Sequence, residues 1–277
     1  MPELPEVETV VRDLRGPLVG RSIVRLEVSA QALRRSWSPA HNRRLVGQTV
    51  RAIMRRGKWI LIDLGGPWLV VHLGMTGQLT IASAELPRQA HTHFVFTLDR
   101  GELRFRDIRR FGSVTWFDDR IAVDAFFAAS RLGPEPFTLD PEVWRQGLKK
   151  TSRNLKACLL DQRLVAGVGN IYADESLFEA KLSPRLLGKR LTAAQAERLR
   201  LAVVSVLTRA IKRRGSTIRD YVGGSGLRGG FQDEFRAYGR TGKPCVRCGT
   251  PIRRIVLAGR ATHFCPTCQR MSGQAQG

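Results

Sequence analysis

Four cysteines near the end of the chain constrain its fold more than any other feature. Two residues separate Cys245 from Cys248, two separate Cys265 from Cys268, and sixteen lie between the pairs. Each Cys-x2-Cys knuckle delivers two thiolates to one point, and the intervening length suits a hairpin, so the pattern is that of a zinc ribbon with four thiolate ligands. Four protein ligands leave no open position for water, which makes one structural Zn2+ the expected cofactor. Strands are expected over 252–257 and 261–264, with Ala258-Gly259-Arg260 at the tip. The fifth cysteine, Cys158, stands apart and receives no role. Clustering of this kind favours a metal in a reducing compartment over a disulfide scaffold.

The rest of the chain can build cores, since 43% of its 277 residues are hydrophobic. That excludes disorder, collagen and coiled coil as descriptions of the whole. Lys plus Arg number 46 against 24 Asp plus Glu, a net charge of +22. A surface built to meet a polyanion carries such a field; a small-molecule enzyme rarely does. Only eight of the 46 are lysines, so each Lys raises the question of why Arg was not used. No segment approaches the roughly 18 apolar residues of a membrane span. The opening Met1-Pro2-Glu3-Leu4-Pro5-Glu6 is acidic and lacks a signal pattern, so a cytoplasmic, soluble protein is expected.

A first helix is expected from Val7, Val10, Val11 and Leu14 at i, i+3, i+4, i+7, with Pro5 in its first turn and Gly16 closing it. Eight short strands follow, over 23–28, 49–54, 59–64, 68–73, 78–81, 94–98, 102–105 and 113–117, which predicts a sandwich or barrel. Leu132-Gly133-Pro134-Glu135-Pro136 cannot continue a helix or a central strand and reads as a linker. Helices are expected over 142–149, 155–161, 171–180 and 193–214, the last with Thr192 and Gln195 in capping-box spacing. Val165-Ala166-Gly167-Val168-Gly169-Asn170 precedes the third of these. Its glycines suit an anion-binding helix N-terminus, or equally an ordinary tight turn. Gly215–Lys243 is Gly-rich and expected to be a mobile loop, and a disordered tail is expected from Met271.

Pro2 is small enough for Met1 to be removed, leaving a secondary amine. An α-amino group titrates near ~8, so part of it is neutral and nucleophilic at neutral pH. Glu3 lies beside it as a proton donor.

Met1–Val10, MPELPEVETV, closely resembles the opening of bacterial formamidopyrimidine-DNA glycosylases. Arg56-Gly57-Lys58-Trp59, His72-Leu73-Gly74-Met75-Thr76-Gly77, Asp107-Ile108-Arg109-Arg110-Phe111-Gly112, Leu132–Pro136, Gly167–Tyr172 and the cysteine ribbon agree in order. Pro-Glu-Leu-Pro, rather than the Pro-Glu-Gly-Pro of the endonuclease-eight-like branch, is similar to the purine-lesion branch. Ile108 and Ala157 stand where relatives often have Pro.

The resemblance implies an α+β fold of an N-terminal β-sandwich, a helix-two-turn-helix domain and a C-terminal zinc-ribbon finger. The expected bounds are 1–131, a linker at 132–140, 141–240 with a Gly-rich lesion-capping loop (215–235), 241–270 and a tail at 271–277. It implies a bifunctional glycosylase and abasic-site lyase that excises oxidised purines (8-oxoguanine, formamidopyrimidines) from damaged double-stranded DNA. Pro2 would be the nucleophile at C1′ and Glu3 the acid assisting sugar opening. Lys58 would serve β-elimination and Arg260 δ-elimination. Met75, Arg109 and Phe111 match the wedge that replaces a flipped nucleotide. His91, Arg110, Lys156 and Asn170 fit phosphate contacts, with Arg153 for a further one and Lys150 or Thr151 as alternatives to it. A monomer, nucleoid-associated through DNA and without a small-molecule cofactor, is expected. The alternatives are an endonuclease-eight-like glycosylase for oxidised pyrimidines and a non-catalytic zinc-ribbon DNA-binding protein.

Overall fold

The computed structural model describes residues 1–217 and 221–271. Two compact units divide the chain, one of residues 1–131 and 211–232, the other of 132–210 and 233–277.

The first unit opens with helix α1 (Leu4–Leu18), capped by a reciprocal box between Glu3 and Glu6. Gly16 does not close it: the helix runs through Pro17 to Leu18, whose side chain is buried in the core. Eight strands follow: β1 (Ile23–Val28), β2 (Ala52–Arg56), β3 (Trp59–Asp63), β4 (Trp68–His72), β5 (Gln78–Ala82), β6 (Thr92–Leu98), β7 (Glu102–Arg106) and β8 (Ser113–Phe117). They form two antiparallel sheets in the orders β1-β6-β7-β5 and β2-β3-β4-β8. Leu26, Phe94, Phe96, Leu103 and Phe105 of one sheet share a core with Ile53, Ile60, Ile62, Leu69, Val71 and Val114 of the other. Alternate residues face inward, as a sandwich requires. Val7, Val10, Val11, Leu14 and Leu18 of α1 join the same core. Two helices here go beyond the sequence expectation, α2 (Ala40–Leu45) and α3 (Arg120–Ala129).

Residues 211–232, expected to belong with the helical domain, instead pack with the sandwich unit. Ser216 donates to the Glu6 carboxylate and Tyr221 Oη to the Glu6 carbonyl. The described part of the Gly-rich stretch is therefore hydrogen-bonded to α1; positions 218–220 of the expected capping loop and 272–277 of the expected tail lie outside the described residues.

The second unit contains α4 (Pro141–Lys149), α5 (Leu155–Leu160), α6 (Asn170–Glu179) and most of α7 (Ala193–Lys212), then the hairpin β9 (Arg253–Leu257) and β10 (Arg260–Phe264). Asp140 caps α4 and Asn154 caps α5 through side-chain oxygens. Trp144 is wholly buried and donates its indole N–H to the Ala196 carbonyl. No helix among the described residues is long and apolar enough to cross a membrane.

Candidate active site and metal centre

Two loops of the sandwich are fused into one platform around Asp107, which is fully buried. Its carboxylate accepts from the Thr76 hydroxyl, the Arg109 N–H and the Gly112 N–H, the last at 2.7 Å. Gly74 closes the join. A Cβ there would lie 2.5 Å from both the Gly112 nitrogen and the Phe111 carbonyl carbon, and its φ is +62°. Only glycine fits such an approach. The platform presents Met75, Arg109, Arg110 and Phe111 to solvent. Met75 and Phe111 are 38% and 45% exposed, unusual for large apolar side chains so tightly mounted. The Arg109 guanidinium lies 4.7 Å from the centre of the Phe111 ring, a cation–π contact that holds the pair together.

A cavity of about 440 Å³ beside the platform is lined by Met1, Arg34, His72, Gly74, Met75, Arg110 and Phe111. The first residue of the chain thus meets the platform. Pro2 and Glu3 behind it are buried, and Glu3 sits at the start of α1, where its N–H is held by Glu6 at 2.8 Å. Lys58 follows the Gly57 turn between β2 and β3 and is 7% exposed. It reaches the same region: burial, then the Lys58 ammonium, then Arg34 and Arg35, push His72 down to about 4. His72 is therefore neutral at pH 7, and its Nδ1 accepts the Gly74 N–H at 3.0 Å.

His91 is exposed in the left-handed region, with φ +67°. His93 is buried between the Ser29 hydroxyl and the Asp107 carbonyl, a structural histidine rather than a metal ligand.

In the second unit, Asn170 begins α6, and its side-chain amide donates to the Ala261 carbonyl on β10 at 3.1 Å. Asp174, one turn on, is fully buried and accepts from both the His263 backbone N–H and its ring Nδ1, at 2.8 and 2.9 Å. These bonds fasten the hairpin to α6 and set Arg260 one residue from the Asn170 contact. Arg260 is exposed and is the first residue of β10, so Ala258 and Gly259 alone form the tip. Lys156, expected to contact a phosphate, does not lie on the surface. Its ammonium is wholly buried, paired with Asp174 and donating to the Asn170 carbonyl at 2.8 Å. The guanidinium of Arg153 is engaged with Asp161 at 2.6 Å and with the Ala157 carbonyl.

The four ribbon sulfurs all lie within 4.8 Å of one another. Cys248 is 3.5 Å from Cys265 and 3.4 Å from Cys268, and Cys245 is 3.9 Å from Cys268. Tetrahedral zinc with thiolates at ~2.3 Å places sulfurs about 3.8 Å apart, so the set fits one structural zinc. Backbone N–H groups of Arg247 and Cys268 point at Cys245 and Cys265, as knuckles stabilising thiolates do.

Residue pattern alone missed Arg34, His72, Asp174 and His263. His72 stood inside a quoted motif; no local pattern singled out Arg34, Asp174 or His263.

Three family models match in chain order. The formamidopyrimidine-DNA glycosylase N-terminal domain matches residues 1–114, its H2TH domain residues 132–222, and a zinc finger found in FPG and IleRS residues 242–270. The chain is 44% identical to a formamidopyrimidine-DNA glycosylase of Carboxydothermus hydrogenoformans over 98% of this chain and 100% of that protein. It is 41% identical to one of Streptococcus mutans over the same shares. Among solved structures, a Lactococcus lactis FPG variant in complex with a Fapy-dG containing DNA superposes with a TM-score of 0.91 at 37% identity, covering 98% of this chain and 100% of that one. A complex of the wild-type Lactococcus lactis protein with an oxidised pyrimidine containing DNA gives 0.90 at 37% identity and the same coverage. With all three domains matched and full-length relatives above 40% identity, this chain belongs to the formamidopyrimidine-DNA glycosylase family.

Proposed function

We propose that this chain is a bifunctional DNA glycosylase and abasic-site lyase that removes oxidised purines from duplex DNA. The observation that carries the reading is the cavity in which Met1 meets His72, Met75, Arg110 and Phe111. Removal of Met1 opens the Pro2 amine onto that cavity, beside the platform that presents an apolar wedge.

Met75 and Phe111 enter the stack as a nucleotide leaves it, and Arg109, braced on Phe111, faces the base left behind. The Pro2 nitrogen attacks C1′ and the damaged base departs, with Glu3 protonating the opening sugar. The resulting iminium is permanently cationic and acidifies the C2′ proton. Loss of that proton expels the 3′-phosphate in β-elimination, with Lys58 as proton donor. A second elimination, assigned to Arg260, expels the 5′-phosphate. Lys58 as a compact ammonium suits proton transfer in a way that a guanidinium does not.

His91, Arg110 and Asn170 hold phosphates. Lys156 acts behind Asn170 by fixing the start of α6, and Arg153 would have to exchange Asp161 for a phosphate. Domain bounds of 1–131, 141–240 and 241–270 remain the proposed division by descent, although 211–232 packs with the first of them. The net charge, the relatives and the three matched domains support damaged DNA as partner and the cytoplasm as the place of action, with a monomer near the nucleoid. Binding of an oxidised pyrimidine DNA by the Lactococcus lactis relative keeps pyrimidine lesions as a second substrate class.

The test is a duplex with a single 8-oxoguanine opposite cytosine. Strand cleavage leaving phosphates at both ends of a one-nucleotide gap is expected. An intact duplex, with a thymine glycol duplex cleaved instead, would overturn the purine reading.

A further inference from the structure

Glu8 of α1 divides its carboxylate between two arginines. One oxygen accepts from Arg12 Nε at 2.7 Å, one turn further along the same helix. The other accepts from Arg55 Nε on β2 at 3.0 Å. The two partners differ in setting. The Arg12 side chain is 57% exposed, the ordinary state of a surface arginine, whereas that of Arg55 is 8% exposed. Burial raises the Glu8 carboxyl, but the two arginines outweigh it and hold it below the usual carboxylate range, so the pair is ionic at neutral pH. The same Arg55 guanidinium donates through Nη1 to the Gly57 carbonyl at 3.0 Å. Gly57, with φ +57°, and Lys58 form the two-residue turn between β2 and β3, closed by the Arg56–Trp59 pair. Trp59 in turn packs on His72, with ring centroids 4.5 Å apart, and His72 lines the cavity.

We infer that Arg55, braced by Glu8, is a positioning residue for strand cleavage: it sets the turn carrying Lys58 in register with the helix start carrying Pro2 and Glu3. This rests on the reading of Lys58 as proton donor in elimination. A guanidinium suits the task, because one planar fork of donors grips a carboxylate and a carbonyl at once. Glu8 lies about 7.5 Å along the helix axis from Glu3, so α1 both begins at the nucleophile and acid and anchors the turn. Lys58 is 7% exposed and has little room to correct a shift of its own backbone. Proton transfer requires hydrogen-bond reach, and misplacement by about 1 Å costs on the order of 100-fold. Attack by the Pro2 amine does not use Lys58, so the pair acts after the iminium has formed.

The experiment uses a duplex with a preformed abasic site and measures two single-turnover rates: iminium formation, by borohydride trapping, and strand cleavage. The parent, Arg55→Met, Glu8→Gln, Arg12→Ala and Lys58→Met are compared. Arg55→Met and Glu8→Gln are each expected to slow cleavage about tenfold relative to trapping, the scale of a reacting group displaced by a fraction of an ångström. Arg12→Ala leaves Arg55 on the carboxylate and should keep the parent ratio of cleavage to trapping. Loss of folded protein alone lowers both rates together and also keeps that ratio. A parent-like ratio in Arg55→Met or Glu8→Gln, or an equal fall in Arg12→Ala, overturns the inference, while a lowered ratio in Lys58→Met keeps the functional reading standing. A parent that leaves the abasic duplex uncleaved, or Lys58→Met at the parent ratio, defeats the functional reading and the inference with it.

Discussion

Asp174→Ala should destabilise the protein far more than any surface substitution. Lys156 and Asp174 are both 0% exposed and in direct contact, and Asp174 also takes two bonds from His263. At an effective dielectric near 20, charges ~2.5 Å apart attract by about 7 kcal/mol. Desolvating the two ions costs several kcal/mol each, so the intact pair contributes little net stability. An orphaned buried ammonium is another matter and costs about 3–5 kcal/mol. With about 2–4 °C lost per kcal/mol, Tm should fall by roughly 6–20 °C. Lys156→Met should cost less, about 1–3 kcal/mol, because His263 still donates to the carboxylate. Combining Lys156→Met with Asp174→Asn removes both charges and keeps an acceptor for the His263 N–H, so the double variant should regain most of the loss. Urea unfolding of the parent, Asp174→Asn, Lys156→Met and the double variant closes the cycle. Single effects that simply add, or an Asp174→Ala cost below 1 kcal/mol, would mean that water reaches the pair and that Lys156 is free to contact a phosphate.

Stability should also fall in mild acid through His72. Its folded pKa, about 4, lies below the ordinary 6.5. The unfolded chain therefore binds a proton that the native one refuses, and His72's contribution is full above pH 6.5 and lost as pH falls toward 4. Between pH 7 and pH 5 this amounts to about 2 kcal/mol, which His72→Gln should abolish in paired urea titrations. Gly74→Ala should weaken lesion-duplex binding by displacing Met75 and Phe111 while the sheets stay folded; unaltered binding in a gel-shift titration would show that the platform tolerates movement. Chelating the zinc should melt the ribbon and abolish DNA binding while the sandwich keeps its β signature in circular dichroism, since zinc-site binding energy is local folding energy. Chelated protein that still binds lesion duplex would remove the ribbon from the DNA surface.

The sandwich strands, the α1 register and the ribbon were legible because each rests on a local pattern: alternation, 3.6-residue spacing, knuckle spacing. What failed was decided at longer range. Gly16 and Pro17 signal a helix end, yet burial of Leu18 carries α1 two residues further. Helix α2 has one buried residue, Leu45, and too short a span to show a period. In α3 the signal lay in Asp119, whose side chain caps the Ala122 N–H, while exposed Ile121 blurred the apolar face. Gly223 and Gly224 read as flexibility but serve close approach to Asp13 and Leu14. Lys156 read as a phosphate contact, since nothing nearby in sequence announces its burial against Asp174 eighteen residues on. The cavity's Arg34 and His72 come from separate segments, so only the folded chain shows them together.

The central claim is that the first residue of the processed chain performs the chemistry. Incubation with an 8-oxoguanine duplex and borohydride should reduce the iminium to a stable protein–DNA adduct. Peptide mapping should place the cross-link on Pro2, with Met1 absent. A protein that retains Met1 should not be trapped, because the Pro2 nitrogen is then an amide. An adduct mapping to Lys58 or Lys156 would contradict the account.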